Sequence, residues 1–209
     1  MATALSNPNT SYDEAASLDV SVLLPRQGEF SPADYLYLTE NTRRLAELID
    51  GRIEVLAMPT LEHQEIIFYL LTMLRAFITP NRLGRAIMAP IRMRLNADRY
   101  QEPDVLFMFD ENTSRAGNEY WDRADLVMEV VSKEDPQRDW VDKRQDYAAA
   151  GIPEYWIIDP RTKTIIVLRL ENKQYLVHSE AHATGLLTSA LLPGFKVEAA
   201  AVFAAGQGM

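Results

Sequence analysis

The sequence predicts an α/β fold in which helices pack on a mixed β-sheet, and three features carry that expectation. From Ile66 to Ile78 the apolar residues Ile66, Ile67, Leu70, Leu71, Leu74, Phe77 and Ile78 fall at three- and four-residue steps, the period of a helix with one buried face. Val105 to Phe109 and Leu126 to Val131 are nearly continuous apolar runs, as central strands covered on both faces are. A second helical segment, opened by Asp135-Pro136 and closed by Gly151, then leads into a further apolar run, Tyr155-Trp156-Ile157-Ile158.

Taken in order, the first 28 residues are rich in Ser, Thr, Ala and Asn and read as a flexible leader; they lack the basic start and apolar core of a secretion signal. Ser31-Pro32-Ala33-Asp34 combines a capping serine, a proline at the first helical position and an acid three residues after the cap, which predicts a short helix to about Thr39. Asp50-Gly51 between two short apolar runs signals a tight hairpin. The long helix follows Pro59 and is expected to stop at Pro80. Strands are then expected at Ala86 to Met88, Ile91 to Leu95, Val105 to Phe109 and Leu126 to Val131. The second helix ends at Ala150, the strand Tyr155 to Ile158 turns at Asp159-Pro160, and a meander continues through Ile165 to Leu168 and Tyr175 to Val177. One domain is expected over 29–205, with a short tail at 206–209.

Composition narrows the chemistry. The chain of 209 residues has 47% hydrophobic and 24% charged residues, ordinary for a globular protein, and a formal net charge of -9, which excludes a bulk nucleic-acid coat protein. With no cysteine, disulfide scaffolds, thiol nucleophiles and cysteine-ligated metals are ruled out. His63, His178 and His182 are the only histidines, so oxygen ligands and hard cations are the metal chemistry open to it. No stretch approaches the roughly 18 to 20 apolar residues of a membrane-spanning helix, and a soluble, cytoplasmic protein is expected.

Two acids stand where packing alone would not put them. Asp104 opens one apolar strand and Glu129 lies inside another, and a lone buried carboxylate costs several kcal/mol unless it is paired, protonated or bound to a cation. If the strands are neighbours, the two carboxylates meet at one end of the sheet and, with a backbone carbonyl, suit magnesium or manganese. Alternatively Glu129 faces an edge or pairs with an arginine. Asp139, Lys143 and Tyr147 form a polar stripe along one face of the second helix, which either reaches those acids or is an ordinary solvated surface. Arg82, Arg85, Arg92, Arg94 and Arg99 form a local basic stretch, read equally as a nucleic-acid contact and as a solvated sheet face.

Pro103-Asp104, Glu129-Val130-Val131-Ser132, Lys143, and Gly151-Ile152-Pro153-Glu154-Tyr155-Trp156-Ile157-Ile158-Asp159-Pro160 together resemble the Uma2 family of endonucleases, within the PD-(D/E)XK nuclease superfamily. Glu47-Leu48-Ile49-Asp50-Gly51, Glu62-His63 and Leu192-Pro193-Gly194 are further matches, and the resemblance spans about residues 30 to 204. It implies a restriction-endonuclease-like core with an N-terminal helix and hairpin. It also implies Asp104 and Glu129 as metal ligands with the Val130 carbonyl as a third, and Mg2+ as cofactor, with Mn2+ as a substitute. The chain departs from the superfamily pattern at Val131, where a lysine usually stands; the resemblance moves that lysine to Lys143, in preference to Lys133. His63 and Ser132 are second candidates for lining the site, and Glu47 matches without an evident role.

The activity so implied is metal-assisted hydrolysis of DNA phosphodiesters by Asp104, Glu129 and Lys143. The rival readings are a nuclease-like binding module that does not cut, and a phosphoesterase acting on small substrates. Cutting both strands of a duplex from single sites calls for two copies, which makes a homodimer the symmetric expectation.

Overall fold

The computed structural model describes residues 24–40, 42 and 44–208. Most of the leader, 1–23, and Met209 of the tail therefore lie outside the described residues, while Gln27 and Gly28 hydrogen-bond to Ile53 and Gly51 of the hairpin.

Helix α1 (Pro32–Glu40) begins with a reciprocal cap. The Ser31 amide donates to Asp34 Oδ2 at 2.8 Å and the Asp34 amide to Ser31 Oγ at 3.2 Å. Strands β1 (Ala46–Ile49) and β2 (Arg52–Val55) follow, joined by Asp50 at φ 49° and Gly51 at φ 75°, the left-handed pair a two-residue hairpin needs. A Cβ at Gly51 would sit 2.5 Å from the Gly28 carbonyl oxygen, so glycine is required there twice over. Helix α2 (Leu61–Asn81) is capped by the Thr60 hydroxyl, which accepts the His63 amide. It runs one residue beyond the expected stop, because Pro80 falls in a last turn that Arg82, left-handed at φ 51°, closes with its N–H.

The centre is a six-stranded mixed sheet in the order β11-β10-β9-β8-β6-β3, built from β3 (Gly84–Met88), β6 (Val105–Phe109), β8 (Leu126–Val130), β9 (Glu154–Asp159), β10 (Thr164–Glu171) and β11 (Gln174–His182). All neighbours are antiparallel except β8 and β9, whose parallel pairing needs the crossover helix between them. Alternate residues of β6 and β8 explain their unbroken hydrophobicity. Val105, Phe107, Leu126, Met128 and Val130 face α2, whereas Leu106, Met108, Val127 and Val131 pack with Tyr147 of the crossover helix. On the α2 face, Ile66, Leu70 and Leu74 are fully buried, and shortening any of them to alanine should cost about 2–5 kcal/mol.

A second sheet, in the order β2-β1-β5-β4-β7, adds β4 (Arg92–Asn96), β5 (Arg99–Gln101) and β7 (Tyr120–Asp122) to the hairpin. A ribbon of β12 (Leu186–Thr188) and β13 (Lys196–Glu198) and the helix α4 (Ala199–Ala205) complete the described chain. Of these additional elements β4 matches the strand expected at Ile91 to Leu95, whereas β5, β7, β12 and β13 are three residues each, too short to display a period. The second sheet, however, brings β1 against the crossover helix. That helix is not uniform: Arg138–Asp142 forms a π turn, in which the Lys143 N–H donates to the Arg138 carbonyl, before α3 (Lys143–Ala150) continues as α-helix to Gly151. Among the described residues no helix is long and apolar enough to cross a membrane.

Candidate active site

Asp104 and Glu129 meet because of strand register. The antiparallel pairs Phe107 with Leu126, Leu106 with Val127 and Val105 with Met128 lead directly to Asp104 opposite Glu129, both on the face covered by α3. The backbone ties them further. The Val130 amide donates to Asp104 Oδ2 at 2.7 Å, and the Asp104 amide approaches Glu129 Oε2 at 3.4 Å.

Helix α3 supplies the partner that a buried Glu129, 2% exposed, requires. Lys143 Nζ lies 2.9 Å from Glu129 Oε1 and 3.3 Å from Asp139 Oδ1, and Tyr147 donates its hydroxyl to the same Glu129 oxygen at 2.6 Å. The polar stripe is therefore buried and turned into the site. The π turn lets Arg138, Asp139 and Lys143 all line one cavity of about 300 Å³, together with His63, Asp104, Glu129, Val130 and Ser132. His63 Nε2 stands 3.1 Å from Asp104 Oδ1. Lys133 is at the cavity mouth, 3.8 Å from Glu62 and away from the carboxylate pair.

Glu47 enters from the other sheet. Fully buried on β1, it accepts the Glu102 amide at 3.0 Å, pairs with Arg138, and approaches Lys143 Nζ at 3.8 Å. Arg138 also bridges to Glu54 at 3.2 Å. Glu47, Asp139, Arg138 and Tyr147 thus join the site alongside the expected Asp104, Glu129 and Lys143. The stripe Asp139-Lys143-Tyr147 announced two of them; Glu47 and Arg138 are brought in only by packing of the second sheet.

Four carboxylates, Glu47, Asp104, Glu129 and Asp139, surround Lys143 and Arg138, and the imbalance shapes their acidities. Burial pushes Glu129 up to about 8, with Lys143 opposing and Asp104 and Asp139 reinforcing the rise. Burial likewise raises Asp139. For Lys143, burial favours the neutral amine, but Glu129, Asp139 and Glu47 outweigh it and hold the ammonium charged. Burial also disfavours a charged His63 ring, and Asp104 overturns that, raising the histidine above its ordinary value. Among the described residues no group of three or more acidic or histidine side chains is gathered as a ready metal cage. The expected ligand set differs from such a cage, being two carboxylates and a backbone carbonyl.

The arginine stretch does not form a free basic strip. Arg92 donates to Thr39 and lies over the Tyr35 ring, Arg94 pairs with Asp122, and Arg99 pairs with Asp50 and Asp146. Arg82 and Arg85 are exposed on the far end of α2 and on β3. His178 and His182 lie on β11, exposed and remote from the carboxylates in the fold.

A family model described as "Uma2: Putative restriction endonuclease" matches residues 32–201. Among solved structures, the chain is similar to one described as a "putative nuclease belonging to DUF820" from Anabaena variabilis ATCC 29413. The TM-score is 0.70 and the identity 20%, over 85% of this chain and 99% of that one, so the likeness establishes the fold. No curated protein matches the chain.

Proposed function

The chain belongs to the Uma2 family, and on that footing we propose that it is a metal-dependent DNA endonuclease whose phosphodiester-hydrolysing site is Asp104, Glu129 and Lys143. The observation that carries this reading is Glu129: a carboxylate fully enclosed in an apolar strand, opposite Asp104 and held by Lys143 and Tyr147. Such a group is costly to keep for packing alone. A divalent cation fits the donor set. Among the described residues Glu129 Oε2 has only the 3.4 Å contact to the Asp104 amide, and the four carboxyl groups outnumber the two permanent cations, Lys143 and Arg138. Asp104, Glu129 and the Val130 carbonyl would hold Mg2+ or Mn2+. Such a cation supplies charge neutralisation at the scissile phosphate and an acidified water.

The chain's own residues do the positioning. Val130 N–H and His63 fix the Asp104 carboxylate, and Tyr147 fixes Glu129. Lys143, charged and locked between two carboxylates, is placed to orient the attacking water or to stabilise a phosphoryl oxygen. Water oxygen adds to phosphorus, one bridging P–O bond breaks, and the departing oxygen takes up a proton. The test is nicking of negatively supercoiled plasmid, which presents both paired and transiently unpaired strands, with magnesium or manganese by wild type, Glu129→Ala and Lys143→Ala purified identically. Metal-dependent nicking lost in both variants is expected; full activity in Glu129→Ala would sink the assignment. The recessed cavity also suits a small phosphoester, and efficient turnover of p-nitrophenyl phosphate esters without DNA cutting would favour that second reading.

A further inference from the structure

Resting on the nuclease reading of the site, we infer that the substrate strand enters unpaired: the cavity takes one nucleotide unit of single-stranded DNA, stacked against an apolar wall, and not a strand within a duplex. Three observations lead there. The first is depth. Glu129 and Lys143 are almost wholly buried, and the way to them is a cavity of about 300 Å³. That is the low end of the volumes of small-molecule sites, about 300–1,000 Å³, with room for a single nucleotide. A paired strand, rigid and flanked by its complement, does not reach a recessed centre; enzymes facing that problem act on single strands or extrude a nucleotide.

The second observation is the wall. Between β2 and α2 the chain has no regular secondary structure, and Val55 at the end of β2 lines the cavity with Leu56, Met58 and Pro59. Val55 is 56% exposed and Met58 79%, an apolar surface at the lip of a polar site that the described residues leave uncovered. Apolar side chains in such a position pack on the face of an unpaired base, as in pockets that take an extruded nucleotide.

The third is charge. Around the mouth stand Glu62, Glu134 and Asp135 against Lys133, and Arg94 and Arg99 are engaged in pairs of their own. A duplex carries a phosphate charge about every 1.7 Å of axis, twice the density of one strand, so an acidic mouth disfavours it more. Stacking on the wall then takes the place of phosphate neutralisation, with Lys133 the mouth's contact to the backbone.

The experiment compares binding of a fluorescein-labelled mixed-sequence DNA single strand and its blunt duplex to the full chain, by anisotropy at one salt concentration in EDTA. The single strand should bind at least about tenfold more tightly, and Met58→Asp, at an exposed position, should weaken that binding about fivefold or more. Equal or tighter duplex binding, no binding to either, or an unaltered affinity in Met58→Asp overturns the inference. Cleavage of the same oligonucleotides with magnesium or manganese separates the two proposals. Single-strand preference in binding without any metal-dependent cutting defeats the nuclease reading alone; cutting of paired DNA without such preference defeats only this one.

Discussion

Tyr147 and Lys143, one turn apart on α3, converge on a single oxygen: Glu129 Oε1 accepts the Tyr147 hydroxyl at 2.6 Å and faces Lys143 Nζ at 2.9 Å. Removing the hydroxyl in Tyr147→Phe leaves the ring packed against Tyr155 but leaves Glu129 Oε1 with Lys143 alone. A loss of about 1–3 kcal/mol in urea unfolding is expected, since a buried carboxyl oxygen loses a hydrogen bond. Nicking activity should fall by about tenfold while the protein stays folded; unchanged stability and unchanged activity together would show that the hydroxyl is idle.

Glu47 is the counter-ion that crosses from the second sheet. Glu47→Ala strands Arg138 and Lys143 beside the remaining acids with a buried partner missing, and breaking a buried pair in this way costs about 3–5 kcal/mol. Glu47→Gln keeps the acceptor for the Glu102 amide and should lose less. Differential scanning fluorimetry ranks the three proteins; an order in which Glu47→Ala matches wild type would refute a structural role.

The position of the lysine can be exchanged. Val131 lines the same cavity and lies two residues beyond Glu129, on its face of the strand. Lys143→Met is expected to be inactive, and adding Val131→Lys to it should restore part of the metal-dependent nicking. Failure of every lysine placement to rescue, in a folded double variant, would tie the activity to the α3 geometry alone.

Asp159 anchors the end of β9 and gives a pH signature. Burial works to raise its pKa, but hydrogen bonds from Arg161 and Trp140 outweigh burial and hold the carboxyl below its usual value. A group depressed on folding stabilises the native state above the unfolded value, near about 4, and that contribution disappears as pH falls through the folded value. The melting temperature of wild type should therefore exceed that of Asp159→Asn at pH 6 to 7 and converge with it below about pH 4. A gap that widens on acidification would contradict the sign.

In the Glu154-to-Pro160 string, Pro160 lines the cavity while Glu154 and Tyr155 serve the scaffold. Glu154, fully buried, accepts Trp156 Nε1, Ser189 Oγ and the amides of Ala190 and Leu191, and Tyr155 donates to the Asp139 carbonyl. Glu154 and Tyr155 hold the turn before β13 and the π turn in place, so part of a motif that identifies the family need not touch substrate.

Elements whose signal is local were legible in the chain before folding was considered. The three- and four-residue apolar steps made α2, the unbroken runs of β6 and β8 marked central strands, Asp50-Gly51 made the hairpin, and Asp104 and Glu129 stood out because a carboxylate in an apolar strand demands a partner. The antiparallel register that sets Asp104 opposite Glu129, the π turn that turns Arg138 and Asp139 inward, and the second sheet that delivers Glu47 were decided only in three dimensions. The reason is physical. Periodicity and turn chemistry act within a few residues, whereas strand order and the balance of buried charge depend on which distant segments share one low-dielectric space.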